Sequence, residues 1–415
     1  MSFESLGLSA ALLRAVAEQG YREPTPIQAA LIPELLAGRD VSATASTGSG
    51  KTVAFVLPIL QALGALTVPR QVQALILAPT RELAKQTLDV IAGLRTYLPV
   101  RPKTVAVLGG VSINPQMMQL RGGADIVVAT PGRLLDLVAK NALSLGAVSR
   151  LVLDEADRLM DNNFSDELAR IVALLPETRR TLLVSATFSP AIRKLAKQLM
   201  QDPVWIDLAE APTEVPAIAQ RAILVDAPRR TRLLLKLLEV HAWERALVFV
   251  GTTHATEHVT AKLHAAGINA VALHGKMSQG ARTKALDDFR ASRVRVLVAT
   301  DLASRGLDIT GLPAVVNYDL PRSPTDYVHR IGRTGRAGDS GVAVSFLTAD
   351  MADHFALIEK RHGHRVEREQ IAGFEPTAVA ESKPTTGGVK GHRKSKKDRL
   401  REAGSRPLRD PATDS

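Results

Sequence analysis

Cysteine does not occur anywhere in the 415 residues, which excludes both a disulfide framework and a thiolate metal centre. A reducing compartment, the cytoplasm, is the expectation that goes with it. Aromatic side chains make up only 4% of the chain, too few for base stacking to be its main way of holding nucleic acid. Long apolar runs are lacking as well. The longest, residues 53–68, is interrupted by Pro58 and Gln61 and falls short of the ~20 apolar residues a bilayer requires, so a buried helix is expected there. The start, Met-Ser-Phe-Glu-Ser-Leu-Gly-Leu, has no basic segment followed by an apolar one, so it does not read as a secretion signal. Negative charge is also in deficit: 53 Lys and Arg face 42 Asp and Glu, a net charge of +11. With a pI near 10.0, a polyanionic partner is favoured, nucleic acid first, against the plainer alternative of a basic but unspecific surface.

What the chain does have is a repeated alternation of short apolar runs with helical patterns, the mark of parallel sheets covered by helices. The runs in the first half are Ala74 to Ala78, Val105 to Leu108, Ile126 to Ala129, Leu151 to Leu153 and Leu182 to Val184. In the second half they are Ile223 to Val225, Leu247 to Val250, Ala270 to Leu273, Val294 to Ala299, Val315 to Val316 and Val342 to Phe346. The fold class expected is therefore α/β, with two tandem parallel-sheet domains. Boundaries are expected at 1–208 and 219–374, with a Pro-containing linker at 209–218 and a basic tail at 375–415. Residues 381–415 hold ten Lys or Arg against five Asp or Glu among Gly, Ser and Pro, a composition expected to be disordered. Such a tail serves either as a sequence-blind RNA tether or merely as a solubilising segment.

Polar clusters begin where apolar runs end, and open α/β sheets bind ligands outside the carboxyl ends of their strands. Ala45-Ser46-Thr47-Gly48-Ser49-Gly50-Lys51-Thr52 matches a P-loop except for Ala45 in place of the first glycine. The amides of Gly48, Ser49 and Gly50 can wrap phosphates, Lys51 supplies a point charge, and Thr52 offers a hydroxyl to Mg²⁺. Leu151-Val-Leu-Asp154-Glu155-Ala-Asp157 adds the acidic cluster such a loop needs. Asp154 is the expected holder of Mg²⁺, and Glu155 the group that orients or deprotonates the attacking water. The plainer reading is a carboxylate-rich helix N-terminus.

The second half has no such loop but carries His329-Arg-Ile-Gly-Arg333-Thr-Gly-Arg336, three arginines at spacing three. An arginine delivered to a γ-phosphate is worth ~10³–10⁵ in rate. A loop that touches only nucleic acid phosphates is the alternative. Asp301, Arg305 and Asp308 follow another strand and are candidates for the same cleft. For a nucleic-acid track, Pro79-Thr80-Arg81, Gly109-Gly110 and Thr130-Pro131-Gly132-Arg133 offer helix N-termini and charge. Gly275, Gln279, Arg282, Thr300 and Asp301 are their counterparts in the second half, although ordinary capping accounts for most such segments taken singly. Backbone contacts of this kind predict little sequence preference and a steep salt dependence.

Taken together and in order, these motifs resemble the DEAD-box RNA helicases of helicase superfamily 2, over about residues 3–374, and the literal Asp154-Glu155-Ala156-Asp157 is the family's signature. The resemblance implies RecA-like, P-loop NTPase-type domains and ATP with Mg²⁺ as cofactors. Phe3 and Gly20-Tyr21-Arg-Glu-Pro-Thr-Pro-Ile-Gln28 resemble the Q motif, in which Gln28 reads adenine and an upstream aromatic stacks on it. Ser185-Ala-Thr187 resembles the motif that couples the ATP site to strand separation, together with Asp157 and His329 at the interdomain contact. Arg333 and Arg336 match arginine fingers, and Asp308 matches a residue that reaches the nucleotide. Ser46 departs from the family's usual glutamine. The activity implied is an RNA-stimulated ATPase that locally separates short duplexes; a nonprocessive ATP-gated RNA clamp and a superfamily 2 DNA translocase are the alternatives. The subgroup most resembled is the bacterial RhlE-like one, with ribosome-assembly or RNA-decay proteins as partners and no membrane.

Overall fold

Runs such as Ala74-Leu-Ile-Leu77 have no polar alternate residues, so a strand made from them must be covered on both faces. The computed structural model of the protein describes residues 2–45, 48–63, 70–160, 164–185, 188–208, 218–304, 309, 311–335 and 341–377. Within them the chain forms two seven-stranded sheets. The first contains β1 (Val41–Thr44), β2 (Ala74–Leu77), β3 (Thr104–Val107), β4 (Ile126–Ala129), β5 (Arg150–Leu153), β6 (Arg180–Ser185) and β7 (Val204–Asp207). The second contains β8 (Ala219–Leu224), β9 (Ala246–Phe249), β10 (Ala270–Leu273), β11 (Val296–Ala299), β12 (Ala314–Asn317), β13 (Val342–Leu347) and β14 (Arg368–Glu369).

Spatial order is β3-β4-β2-β5-β6-β1-β7 in one sheet and β10-β11-β9-β12-β13-β8-β14 in the other. Subtracting seven from each label of the second order gives the first, so the two lobes share one topology. Every pairing is parallel. The α/β class with two tandem parallel-sheet domains, expected from the sequence, is the class observed. Alternate residues of one strand feed opposite layers: Ile76 and Val128 pack on one side of the first sheet, Leu75, Leu77 and Val127 on the other.

Each apolar run singled out in the sequence overlaps a strand. Three strands escaped notice, for physical reasons. β1 reads Val-Ser-Ala-Thr, buried throughout although half its residues are polar. β7 alternates half-buried with exposed residues at a sheet edge, and β14 is two residues long. The apolar stretch at 53–68 enters the helix Lys51–Ala62, buried along most of its length, while residues 64–68 lie outside the described residues. No helix among the described residues is long and apolar enough to cross a membrane. Most of the expected linker (209–217) and nearly all of the expected tail (378–415) also lie outside them.

Asp40 fixes where β7 joins. Its buried carboxylate accepts the amide of Thr181 at 2.8 Å and that of Gln201 at 2.8 Å. Its own carbonyl accepts the amide of Val204 at 2.9 Å. Asp40→Ala strands two amides in the interior, each worth ~1–3 kcal/mol. Urea unfolding should therefore show a loss of roughly 2–6 kcal/mol; an unchanged midpoint would contradict this role of Asp40 at the edge.

Candidate functional site

The carboxyl ends of the strands gather the motifs, as the topology demands. After β1 the chain turns through Gly48 and Gly50, both left-handed at φ 83° and 88°, and enters the helix Lys51–Ala62. Gly50 has a second reason to be glycine, because a Cβ there would run into the side-chain amide of Gln28. That amide donates to the Gly50 carbonyl at 3.1 Å, and the Gln28 carbonyl oxygen accepts the amide of Thr25 at 3.0 Å in a capping box. Gln28 is thus held against the glycine turn from an element 22 residues upstream. Phe3 is buried in the core of the first lobe, and Tyr21 packs against that core half-buried, its phenol pushed up by burial. Ser46 and Thr47 lie outside the described residues.

Lys51 is buried and its Nζ lies 4.0 Å from Oδ1 of Asp154. Asp154 caps the end of β5, accepts the amide of Glu155 at 3.0 Å and is wholly enclosed. Burial pushes its carboxyl up to about 6, the charge of Glu155 adds to the rise, and Lys51 opposes it. Glu155 sits at φ 51°, a left-handed conformation that a non-glycine residue adopts at a cost of ~1–3 kcal/mol, and such residues cluster at working sites. Asp157, likewise pushed up by burial, receives a hydrogen bond from Ser185 at the end of β6. Thr187 lies outside the described residues.

Two buried carboxylate oxygens, Oδ2 of Asp154 and Oδ1 of Asp157, have no hydrogen-bond partner among the described residues. A hard divalent cation is the group that such oxygens, beside a lysine and a glycine turn, would accommodate. Thr52, next to Lys51, is the other residue that would hold it.

The second lobe faces this edge with arginines. Arg333 is buried and lines a small cavity with Arg158, Phe249, Asp301, Asp326, His329 and Arg330. Arg330 is an anchor: it grips Asp301 through two bonds of 2.6 and 2.7 Å, donates to Asn317 and to the Asp319 carbonyl, and covers the Phe249 ring. Arg336, Arg305 and Asp308 lie outside the described residues. Sequence reasoning passed over Arg158, which joins the lobes. It pairs with Glu155 at 3.2 Å, with Asp326 at 3.6 Å and with the ring of His329. Its position directly after the acidic cluster was the available signal.

Along the first lobe, Thr80 caps the helix Arg81–Leu94 and accepts the amide of Leu83. Thr130 stands at the cap position of the helix Pro131–Ala139, but its hydroxyl accepts the amide of Gly109 at 3.0 Å. Arg133 reaches back to the Val111 carbonyl at 2.8 Å, and Arg81 packs under Gly110. The three segments thus form one continuous rim, with Pro79 buried behind it and Gly132 against Glu167. Burial and the charge of Arg282 depress the Arg81 guanidinium. In the second lobe Gly275 is exposed while Gln279 and Thr300 are half-buried. Arg282 is buried and donates across the boundary to Glu82 at 2.6 and 3.0 Å.

A left-handed glycine turn before a helix, a buried acidic edge and arginines from a second lobe of identical topology fit the DEAD/DEAH box helicase family, whose model matches residues 25–195. The helicase conserved C-terminal domain matches residues 229–338. The chain belongs to the DEAD-box helicase family. The ATP-dependent rRNA helicase RRP3 of Gibberella zeae is 40% identical over 381 residues, 90% of this chain and 78% of that protein. The DEAD-box ATP-dependent RNA helicase CshA of Bacillus cereus is 39% identical over 367 residues, 88% of this chain and 69% of its own. Among solved structures, S. cerevisiae Dbp5 bound to RNA and ADP BeF3 aligns with a TM-score of 0.79 at 32% identity, covering 89% of this chain and 95% of that one.

Because the folded Asp154 carboxyl titrates above its ordinary value of 3.8, it favours the ligand-free fold at pH below that value, and this contribution is lost as pH rises through about 6. A cation binds the ionised form and acts in the opposite sense. The melting-temperature increment produced by Mg²⁺ and nucleotide should therefore shrink as pH is lowered through about 6. An increment that stays constant across that window would contradict a role for this carboxylate in holding metal.

Proposed function

We propose that the protein is an RNA-stimulated ATPase that separates short RNA duplexes, or remodels ribonucleoprotein, by drawing its two lobes together on ATP and a single strand. The observation that carries this reading is the bridge from Glu155 through Arg158 to Asp326 and His329, which sets the acidic edge of one lobe against the Arg333 segment of the other. In this reading residues 1–208 and 219–374 are the lobes, 209–218 the linker and 375–415 the tail. Gly48, Ser49 and Gly50 wrap the phosphates with Ser46 and Thr47, and Lys51 neutralises charge on them. Glu155 takes a proton from the attacking water. Thr52 and Asp154 would hold Mg²⁺, which when bound supplies charge neutralisation across the terminal phosphates.

Gln28 with Phe3 or Tyr21 selects adenine, and Asp308 contacts the nucleotide. Arg333 and Arg336 stabilise the transferring phosphoryl group once the lobes are shut, which makes turnover conditional on RNA. Asp157, Ser185, Thr187 and His329 couple that event to the strand. The backbone of RNA runs along Pro79, Thr80 and Arg81, Gly109 and Gly110, and Thr130 to Arg133, then along Gly275, Gln279 and Thr300. Arg282 and Asp301, engaged by Glu82 and Arg330, shape the track. We place the chain in the RhlE-like bacterial subgroup, in the cytoplasm, with ribosome-assembly or RNA-decay proteins as partners; sequence resemblance supports these finer assignments.

Lys51→Ala should weaken ATP binding. Glu155→Gln should retain ATP and RNA yet lower turnover by ~10²-fold or more. Arg333→Ala should lose RNA stimulation while ATP affinity stays nearly unchanged. Hydrolysis by Glu155→Gln at the parent rate would remove that carboxylate from its role. Stimulation by DNA equal to that by RNA of the same length would favour the translocase reading, and ATP-dependent binding without strand displacement would favour the clamp.

A further inference from the structure

Away from the cleft, one surface of the first lobe combines features that its fold does not require. Trp205 on the edge strand β7 is 39% exposed, although an indole is ordinarily among the most buried side chains. Phe188 meets it edge-on, with ring centroids 5.1 Å apart, and the Arg193 guanidinium lies 5.3 Å from the centroid of each ring. Arg193 belongs to the helix Pro190–Leu199, which bears Arg193, Lys194 and Lys197 and no carboxylate. All three cations are exposed. The nearest carboxylates along the chain are Asp202 and Asp207, and Asp207 accepts the hydroxyl of Thr44.

An exposed indole and a half-buried phenyl beside a run of cations are the ingredients of a single-strand platform, in which bases stack while the backbone is neutralised. We propose that this edge is an auxiliary site for single-stranded RNA, with bases on Trp205 and Phe188 and phosphates on Arg193, Lys194 and Lys197. It rests on the RNA-helicase reading and extends it. Sheet order separates the site from the track at Thr80 and Arg81: β7 stands four strands from β2, about 19 Å at ~4.8 Å per strand. Only RNA that extends beyond the cleft reaches it.

Fluorescence tests this directly. The other tryptophan, Trp243, is buried in the second lobe and stacked on His241, so Trp243→Phe leaves Trp205 as the sole indole emitter. In that full-length variant an oligouridylate of ~6 nucleotides should stimulate ATP hydrolysis without changing the emission, and one of ~20 nucleotides should quench it. The triple variant Arg193→Glu, Lys194→Glu, Lys197→Glu should keep its stimulation by the short RNA. Its log K for the long RNA should depend on log salt with a slope lower by about 2, three phosphates at ~0.7 each. Unchanged emission with the long RNA, equal quenching by the short one, or an unaltered salt slope would overturn the proposal while leaving the helicase reading intact. A response to polyglutamate but not to RNA would assign the surface to an acidic protein and overturn it as well. If neither RNA stimulates hydrolysis, the helicase reading falls and this proposal falls with it.

Discussion

Guanidinium groups taken out of water govern the boundary between the two sheets. Arg158, Arg282, Arg330 and Arg333 are each no more than 6% exposed. A buried charge costs several kcal/mol unless a partner of good geometry meets it. Glu155 and Asp326 meet Arg158, Glu82 meets Arg282, and Asp301 meets Arg330. Two of these sets draw their members from different lobes, so the lobes match each other by charge placement. A displacement of either lobe by a few ångströms would leave ions stranded in a dry seam, which penalises intermediate positions and favours discrete ones.

The same constraint on charge shapes the acidic edge. Asp154 and Asp157 are held where burial disfavours their ionised forms, with oxygens that no described group satisfies. Glu155 stands between them in a left-handed conformation. Stability alone would select against such an arrangement. It becomes intelligible when a cation and a polyphosphate are the missing members of the network, because binding energy then offsets what folding gave up.

Much of this was readable from residues alone because the signals were local. Apolar runs without alternation marked eleven of the strands, and the glycine turn before Lys51 needed only its own dihedral logic. What escaped was nonlocal. Arg158 and Asp326 are unremarkable until the fold brings together two residues far apart in the chain. Gln28 is matched to adenine recognition by resemblance, and its brace on Gly50 is a contact no local pattern announces. Asp301 and Arg330 looked like ligands for other molecules and are bonded to each other. Trp205 drew no notice because β7 is an edge strand whose half-buried pattern carries no apolar run.

The repeated strand order carries a further meaning. The connection between β5 and β6, which begins with the acidic edge, and the connection between β12 and β13, which holds His329 and Arg333, occupy equivalent places in the two sheets. They also touch each other across the seam. One topology used twice thus carries carboxylates at this position in one copy and arginines in the other. Neither half can stand in for its twin: a pairing of two first lobes would lack the Arg333 segment, and a pairing of two second lobes would lack the carboxylates that Arg158 joins to it.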